Sequence, residues 1–540
     1  MRSHWRAALV ALGFAIFFLL LRSQVYTAVD GAVRCFAVFH NPATPLHGNS
    51  HMLYPFWMRL WTGAAAAVGF DTHNWQSFIR MCQALNGFAA AASIGMLFYI
   101  LEVLAGVRLA LLGSLQFGLS TAVMLHATNS AEPVMGLFFS IAALWVLLLG
   151  LRTGSNLAAF FVGILLTFAM ASYESMALTA VPVALGCVCW PGTSWRLALK
   201  RLAVITTGGV VSLVTVYSLS YSSLGIPPRR MFAQLFVIAD NEYYGGFSLS
   251  KLLNTPVGLV RDLFAGVPDN YSGLRHMARG PHGLFWVSID AVSLALLAVL
   301  GWFVVRGLAA AVRRSPVWKP LLWAGVALTG FAAYFPVLYR GPLYDKMWLL
   351  PLAVTLIAVA VAFHFGGPRV QRLLTIGLAA LVIVEAARNI PRAVADHVHE
   401  TPHLNDARNI ASLVTPRDAV VYDFDDVSQM FVTIWGYGIN TLSLPASTRQ
   451  EAEEWLAEAA RKETAGNGNI YFISVLDQDR EHWNAFLGNV MSIPYGDFDC
   501  YREKSVVVQR YSLGGESHTV RRLESPSACP SAIVASQKPN

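Results

Sequence analysis

The chain is short of charge. Only 13% of its 540 residues are Asp, Glu, Lys or Arg, against about a quarter in an ordinary soluble protein. Acid is the scarcer sign, and the scarcity is local: of 32 Asp and Glu residues, twelve lie in residues 1–395 and twenty in residues 396–540. With 55% hydrophobic residues, the first 395 positions cannot surface a string of water-soluble domains, so a purely soluble protein is excluded. Cysteine is also scarce, six residues in no metal-ligand spacing. Cys187 and Cys189 sit in an apolar run as packed thiols. Cys500 and Cys529 can pair if their segment lies in an oxidising compartment. The net charge of +7 does not signal nucleic acid, because Lys and Arg fall in connections between apolar runs rather than on one face.

Long apolar runs are abundant. About twenty residues at 1.5 Å each cross a bilayer core, and the sequence predicts about eleven transmembrane helices. Their cores fall at 7–23, 85–105, 109–126, 134–151, 157–172, 176–190, 202–221, 283–305, 320–338, 347–365 and 371–388. No small-x-small cleavage site follows Leu21, so the first run reads as a retained span. The expected architecture is an α-helical polytopic membrane protein over residues 1–390, with long loops at 24–84 and 222–282. A small α/β domain over 396–513 and a disordered tail over 514–540 complete it.

Charge sets the expected direction. With the N-terminus cytoplasmic, the inner segments hold Arg2, Arg6, Arg108, Arg152, Arg196, Lys200, Arg201, Arg306, Arg313, Arg314, Lys319, Arg369 and Arg372 against one acid, Glu102. This is the positive-inside bias. An odd number of spans then leaves the C-terminal domain on the extracytoplasmic side of a multi-pass protein, of the kind found in a bacterial inner membrane.

That topology gathers Asp30, Asp71, Glu132, Glu174, Asp240, Glu242, Asp262, Asp269 and Asp345 on the outer side, with Asp290 and Glu385 in or near outer ends of spans. Carboxylates at a membrane boundary are costly unless solvated or paired, so their convergence points to a polar cavity. Asp30 precedes Gly31, a pair that also suits a simple turn. His40, His47 and His51 follow without zinc spacing. Glu132, next to Pro133, reads equally as a first-turn acid of a helix capped by Ser130 or Asn129. Glu174 lies between two apolar runs with little solvent-exposed loop. Arg340 and Lys346 can neutralise a phosphate, or pair with Asp345.

These positions resemble the GT-C class of polytopic glycosyltransferases, in particular the branch of dolichyl-phosphate-mannose protein mannosyltransferases and lipid A aminoarabinose transferases. The resemblance covers residues 1 to about 390. It rests on Asp30 just after the first span, His51, Tyr54 and Pro55 ahead of the second, and Glu132 opening the fourth. Tyr173-Glu174 between two short spans and the segment Lys346 through Pro351 also carry it. Two departures are Gly31 where many relatives have a second acid, and Met52 where many have proline. The resemblance implies transfer of a sugar from a polyprenyl-phosphate donor to an extracytoplasmic acceptor, with Asp30 as base and Glu132 and Glu174 as supporting acids. It further implies Arg340 and Lys346 at the donor phosphate, and His51, Tyr54, Tyr173 and Tyr344 lining the site. The sequence demands no cofactor, leaves a divalent metal open, and names no sugar or acceptor. A transporter or flippase of lipid-linked sugar is the alternative, but no internal repeat or paired broken spans support it.

In the C-terminal part, 419–424 and 469–475 read as strands, 449–461 as an acidic helix, and 501–511 as a hairpin strand. Asp423-Phe424-Asp425-Asp426 matches the Asp-x-Asp pattern of metal-dependent nucleotide-sugar transferases. Acids after a strand also commonly cap the next helix, and the predicted compartment lacks nucleotide sugars.

Overall fold

The computed structural model describes residues 2–24, 29–40, 53–190, 192–223, 249–265, 279, 281–314, 347–400, 402–423, 425–444, 449–464, 468–483, 493–513, 516–524 and 529. The chain forms two compact units, residues 1–399 and 400–540.

The first unit is helical. In chain order its elements are α1 (Arg2–Leu20), α2 (Val29–His40), α3 (Leu53–Ala67), α4 (Trp75–Ala105), α5 (Val107–Leu119), α6 (Thr121–Thr128), α7 (Pro133–Thr153) and α8 (Asn156–Ser172). A 3-10 turn (Glu174–Thr179) leads to α9 (Ala180–Cys189), α10 (Trp195–Ser223), α11 (Leu249–Leu263), α12 (Pro281–Arg314), α13 (Leu349–Phe365) and α14 (Pro368–Val398). Every predicted core except 320–338, which lies outside the described residues, coincides with helix. Among the described residues six helices are long and apolar enough to cross a membrane: α1, α4, α7, α10, α12 and the helix beginning at Pro368. The run predicted as a span at 109–126 is the bent pair α5–α6, turned by 62°. Ser120 makes the break, its hydroxyl donating to Phe117 O at 2.7 Å and accepting from Val123 N. The remaining apolar helices, among them α8, α9 with its 3-10 turn, and α13, are shorter.

Helices in lipid gain from close backbone approach more than from burial, and α8 crosses α10 that way. A Cβ on Gly163 would stand 2.0 Å from Ile205 O, and one on Gly208 would stand 2.3 Å from Phe160 O. Antiparallel α1 and α4 are pinned at both ends. Arg6 pairs with Glu102 at 2.6 Å, so the one acid among the segments predicted to be inner meets a basic residue at the same end. His4 stacks on Tyr99, and Arg152 reaches the Tyr99 hydroxyl at 3.5 Å. At the opposite end Gln83 Nε2 donates to Ser23 O at 2.8 Å.

The second unit is α/β. After α15 (Pro402–Leu413) come β1 (Ala419–Tyr422), α16 (Asp426–Ile434), β2 (Asn440–Ser443), α17 (Arg449–Thr464), β3 (Ile470–Ile473), α18 (Arg480–Trp483), α19 (Asp499–Glu503), β4 (Ser505–Leu513) and β5 (Glu516–Leu523). The sheet order is β2-β1-β3-β5-β4. Strands β2, β1 and β3 are parallel, with Ala419 opposite both Asn440 and Ile470, while β5 is antiparallel to β3 and β4. Parallel strands need cover on both faces and therefore read as continuous apolar runs. Val421 and Phe472 pack with Ala452, Leu456 and Trp483, whereas Val420 and Tyr471 pack with Ile410, Val427 and Phe431. The tail expected to be disordered from 514 contains β5 in the middle of the sheet. Its polar composition hid a strand whose Val520 is fully buried. Cys500 and Cys529 form a disulfide.

Candidate active site

The end of the helical unit that holds Ser23 and Gln83 collects the sequence-predicted residues. Span one finishes there with a series of backbone bonds. Ser23 N donates to Thr128 O at 3.0 Å, and Gln24 N to Asp396 O at 2.7 Å. Gln24 Nε2 donates to His397 O at 2.7 Å. Thus α1, α6 and the end of α14 meet at the point where the chain turns toward Asp30.

Asp30 lies in the first turn of α2, so the Asp-Gly pair is part of a helix rather than of an isolated turn. The next residue shows how tightly that turn is seated. A Cβ on Gly31 would lie 1.9 Å from Ser130 O and 2.7 Å from Ala131 Cα. Only a residue without a side chain lets α2 press its backbone against the segment leading to Glu132. The departure at Gly31 is therefore a packing requirement of this chain.

Glu132 is itself buried. It occupies the N-cap position of α7 with a helical backbone and no side-chain capping bond, and Pro133 takes the first helical position. Neither Ser130 nor Asn129 caps the helix. Asn86, fully buried on α4, organises the turn instead. Its Nδ2 donates to Asn129 O at 2.9 Å and to Ala131 O at 2.8 Å, and its Oδ1 accepts from the Tyr54 hydroxyl at 3.3 Å. Tyr54, on α3, is fully buried. One turn along α7, a Cβ on Gly136 would meet Met176 Cγ at 2.8 Å and Tyr173 Cβ at 2.9 Å. The Tyr173-Glu174 turn therefore packs on the same first stretch of α7 that Glu132 opens, with Tyr173 buried and Glu174 half-buried.

The fold brings the helix of Asp30, Glu132, Tyr54, Tyr173 and Glu174 around one turn, residues 129–132. His51, Arg340, Tyr344 and Lys346 lie outside the described residues, as do His47 and Asp345. His40 ends α2 against Phe39 and Phe36. Sequence reading missed Asn86, although a lone Asn in an otherwise apolar run is the signal for such a residue.

A second polar group lies deeper along α14. Glu385, fully buried, accepts from Gln116 Nε2 at 3.0 Å. Arg388 forms an ion pair with Asp290 and lies 4.8 Å from the Trp286 ring centroid. Asn389 Nδ2 donates to Leu119 O at 2.6 Å and Leu263 O at 2.7 Å, and its Oδ1 accepts from Ala265 N at 2.7 Å. These bonds satisfy helix ends at the α5–α6 bend and after α11, where lipid offers no partners.

In the C-terminal unit the Asp-x-Asp stretch is taken up structurally. Asp425 caps α16, accepting from Ser428 N at 2.8 Å and from the Tyr511 hydroxyl at 3.1 Å. Asp423 accepts from Gln478 Nε2. No group of three His, Cys, Asp or Glu suited to a metal occurs among the described residues.

No protein-family model and no curated relative matches the sequence. Solved structures do match the fold. ArnT from Cupriavidus metallidurans in the apo state superposes with a TM-score of 0.55 at 12% identity, over 97% of this chain and 98% of that one. The same protein bound to undecaprenyl phosphate gives 0.53 at 13% identity, over 96% and 98%. The apo oligosaccharyltransferase of Archaeoglobus fulgidus gives 0.52 at 12% identity, over 96% of this chain and 74% of that one. The chain thus has the fold of GT-C membrane glycosyltransferases over nearly its whole length, the class its sequence resembles.

Proposed function

We propose that this protein is a membrane glycosyltransferase that moves one sugar from a polyprenyl-phosphate donor to a hydroxyl of an extracytoplasmic protein, lipid or polysaccharide. The observation that carries the reading is the near full-length likeness to ArnT, which has been solved with undecaprenyl phosphate bound. The packing of the Asp30 helix against the turn that presents Glu132 supports it independently.

In this reading Asp30 takes the proton of the acceptor hydroxyl as that oxygen attacks the anomeric carbon, which is general-base catalysis. Glu132 and Glu174 are supporting acids that shape the field around it. The leaving group is a lipid phosphate, so Arg340 and Lys346 stabilise its developing charge and no general acid is needed. His51, Tyr54, Tyr173 and Tyr344 line the site. No step calls for a cofactor, and the donor enters sideways from the lipid. The N-terminus is cytoplasmic, and the site and C-terminal unit face the other side, where nucleotide sugars are absent and a lipid-borne donor is required.

Asp30→Asn tests the base. It keeps size and hydrogen bonding but leaves a group too weakly basic to accept the proton, so transfer falls by about 10² to 10⁴-fold while donor binding persists. Near-normal transfer ends the assignment. Donor crossing the membrane without any transfer by the unmodified protein makes it a transporter instead. Reporters fused after residue 399 read the orientation, and a cytoplasmic signal refutes it.

A further inference from the structure

Two thiols outside the candidate active site carry the inference. Cys35 on α2 and Cys82 on α4 are both fully buried, and their Sγ atoms lie 2.9 Å apart. That is inside ordinary sulfur–sulfur contact and under about 1 Å beyond the bonded length. No cluster of metal-ligating residues surrounds them among the described residues, and two thiols alone do not complete a tetrahedral zinc site.

We propose that Cys35 and Cys82 are joined by a disulfide that ties the Asp30 helix to the second span. The proposal rests on the orientation given under Proposed function, which places α2 and the start of α4 on the oxidising side. The chain's other disulfide, Cys500–Cys529, calls for the same kind of compartment.

The chemistry is thiol–disulfide exchange with a protein disulfide oxidant. One cysteine thiolate attacks a sulfur of the oxidant's disulfide, forming a mixed disulfide and releasing one oxidant thiolate. The second cysteine attacks the mixed disulfide and releases the other. Two protons and two electrons leave the pair, and the oxidant ends as a dithiol. Because both sulfurs are sealed once α2 packs on α4, exchange precedes that packing, and the finished bond is shielded from soluble reductants. The bond closes a loop over residues 36–81, which includes His51 and Tyr54. Both ends of the segment are then fixed, which holds α2 at the distance that the Gly31 contact requires.

The test uses full-length protein extracted from membranes with alkylating reagent present, denatured without reductant, labelled with a mass-tagged maleimide and mapped by peptide. Cys187 and Cys189 should take label, while Cys35 and Cys82 should be recovered as one linked pair that reductant separates. In Cys35→Ser protein, Cys82 should become labelled, which identifies its partner. Label on Cys35 and Cys82 without reductant overturns the proposal. If Cys500–Cys529 is bridged in that same map, the transferase reading and its orientation are untouched. If all six thiols are labelled, the oxidising compartment is refuted along with the bond.

Discussion

Gly31→Ala is the most direct perturbation of the candidate site, because its size can be worked out beforehand. The added Cβ would lie 1.9 Å from Ser130 O and 2.7 Å from both Ser130 C and Ala131 Cα. All three are backbone atoms of a turn held by Asn86, so no side chain can swing aside. To restore ordinary contact at about 3.4 Å, α2 and the turn must separate by about 1.5 Å. Overpacking of this kind costs about 1–3 kcal/mol, less than the 5–15 kcal/mol that typically separates folded from unfolded protein. The fold therefore survives, while the residue next to Gly31 moves relative to Glu132. A displacement near 1 Å at a reacting centre costs about 10²-fold in rate. The assay measures sugar transfer from a polyprenyl-phosphate donor alongside donor binding and melting temperature. Gly63→Ala on α3 is the matched control, since its Cβ would meet nothing within 4 Å. It should leave transfer unchanged and favour the helix by about 1 kcal/mol. Gly31→Ala protein that melts normally and transfers sugar at the normal rate would refute the claim that this contact sets the site.

Three further outcomes follow from the same geometry. Asn86→Leu removes both donors to the 129–132 turn and should cost about 1–3 kcal/mol in melting experiments, with transfer lost more steeply than donor binding. Arg388→Met leaves Asp290 a buried charge without its ion pair and should cost about 3–5 kcal/mol, whereas pairing it with Asp290→Leu should recover most of that loss. Glu463, in the C-terminal unit, is pushed up to about 7, by burial first, with Asp418 adding to the rise and Arg522 opposing it. Its folded form holds the proton longer than its unfolded form, so stability falls as pH rises from about 4.5 to 7. Glu463→Gln should raise melting temperature at pH 8 and leave it unchanged at pH 4; equal effects at both would exclude the titration.

The membrane class, the approximate helix positions, the α/β character of the C-terminal part and the GT-C resemblance were legible in the sequence. Each rests on local information. A bilayer demands uninterrupted apolar length, buried parallel strands demand continuous apolar runs, and a cap needs a polar side chain beside its own helix, as Asp425 supplies. Long-range contact settled the rest. In sequence Gly31 reads as a missing second acid, whereas in the fold Ser130 O stands against it. Glu132 reads as a first-turn acid of a helix capped by Ser130 or Asn129, whereas it is buried in a turn held by Asn86. The span expected at 109–126 is bent at Ser120, with Asn389, 270 residues away, satisfying a carbonyl at the bend. Strand β5 is hidden in the sequence because the run Glu516–Leu523 is mostly polar, and only its pairing with β3 and β4 defines it. Hydropathy records how each segment meets its solvent. Which backbones touch, and which buried polar groups share a partner, depends on residues far apart in the chain that only folding brings within 3 Å.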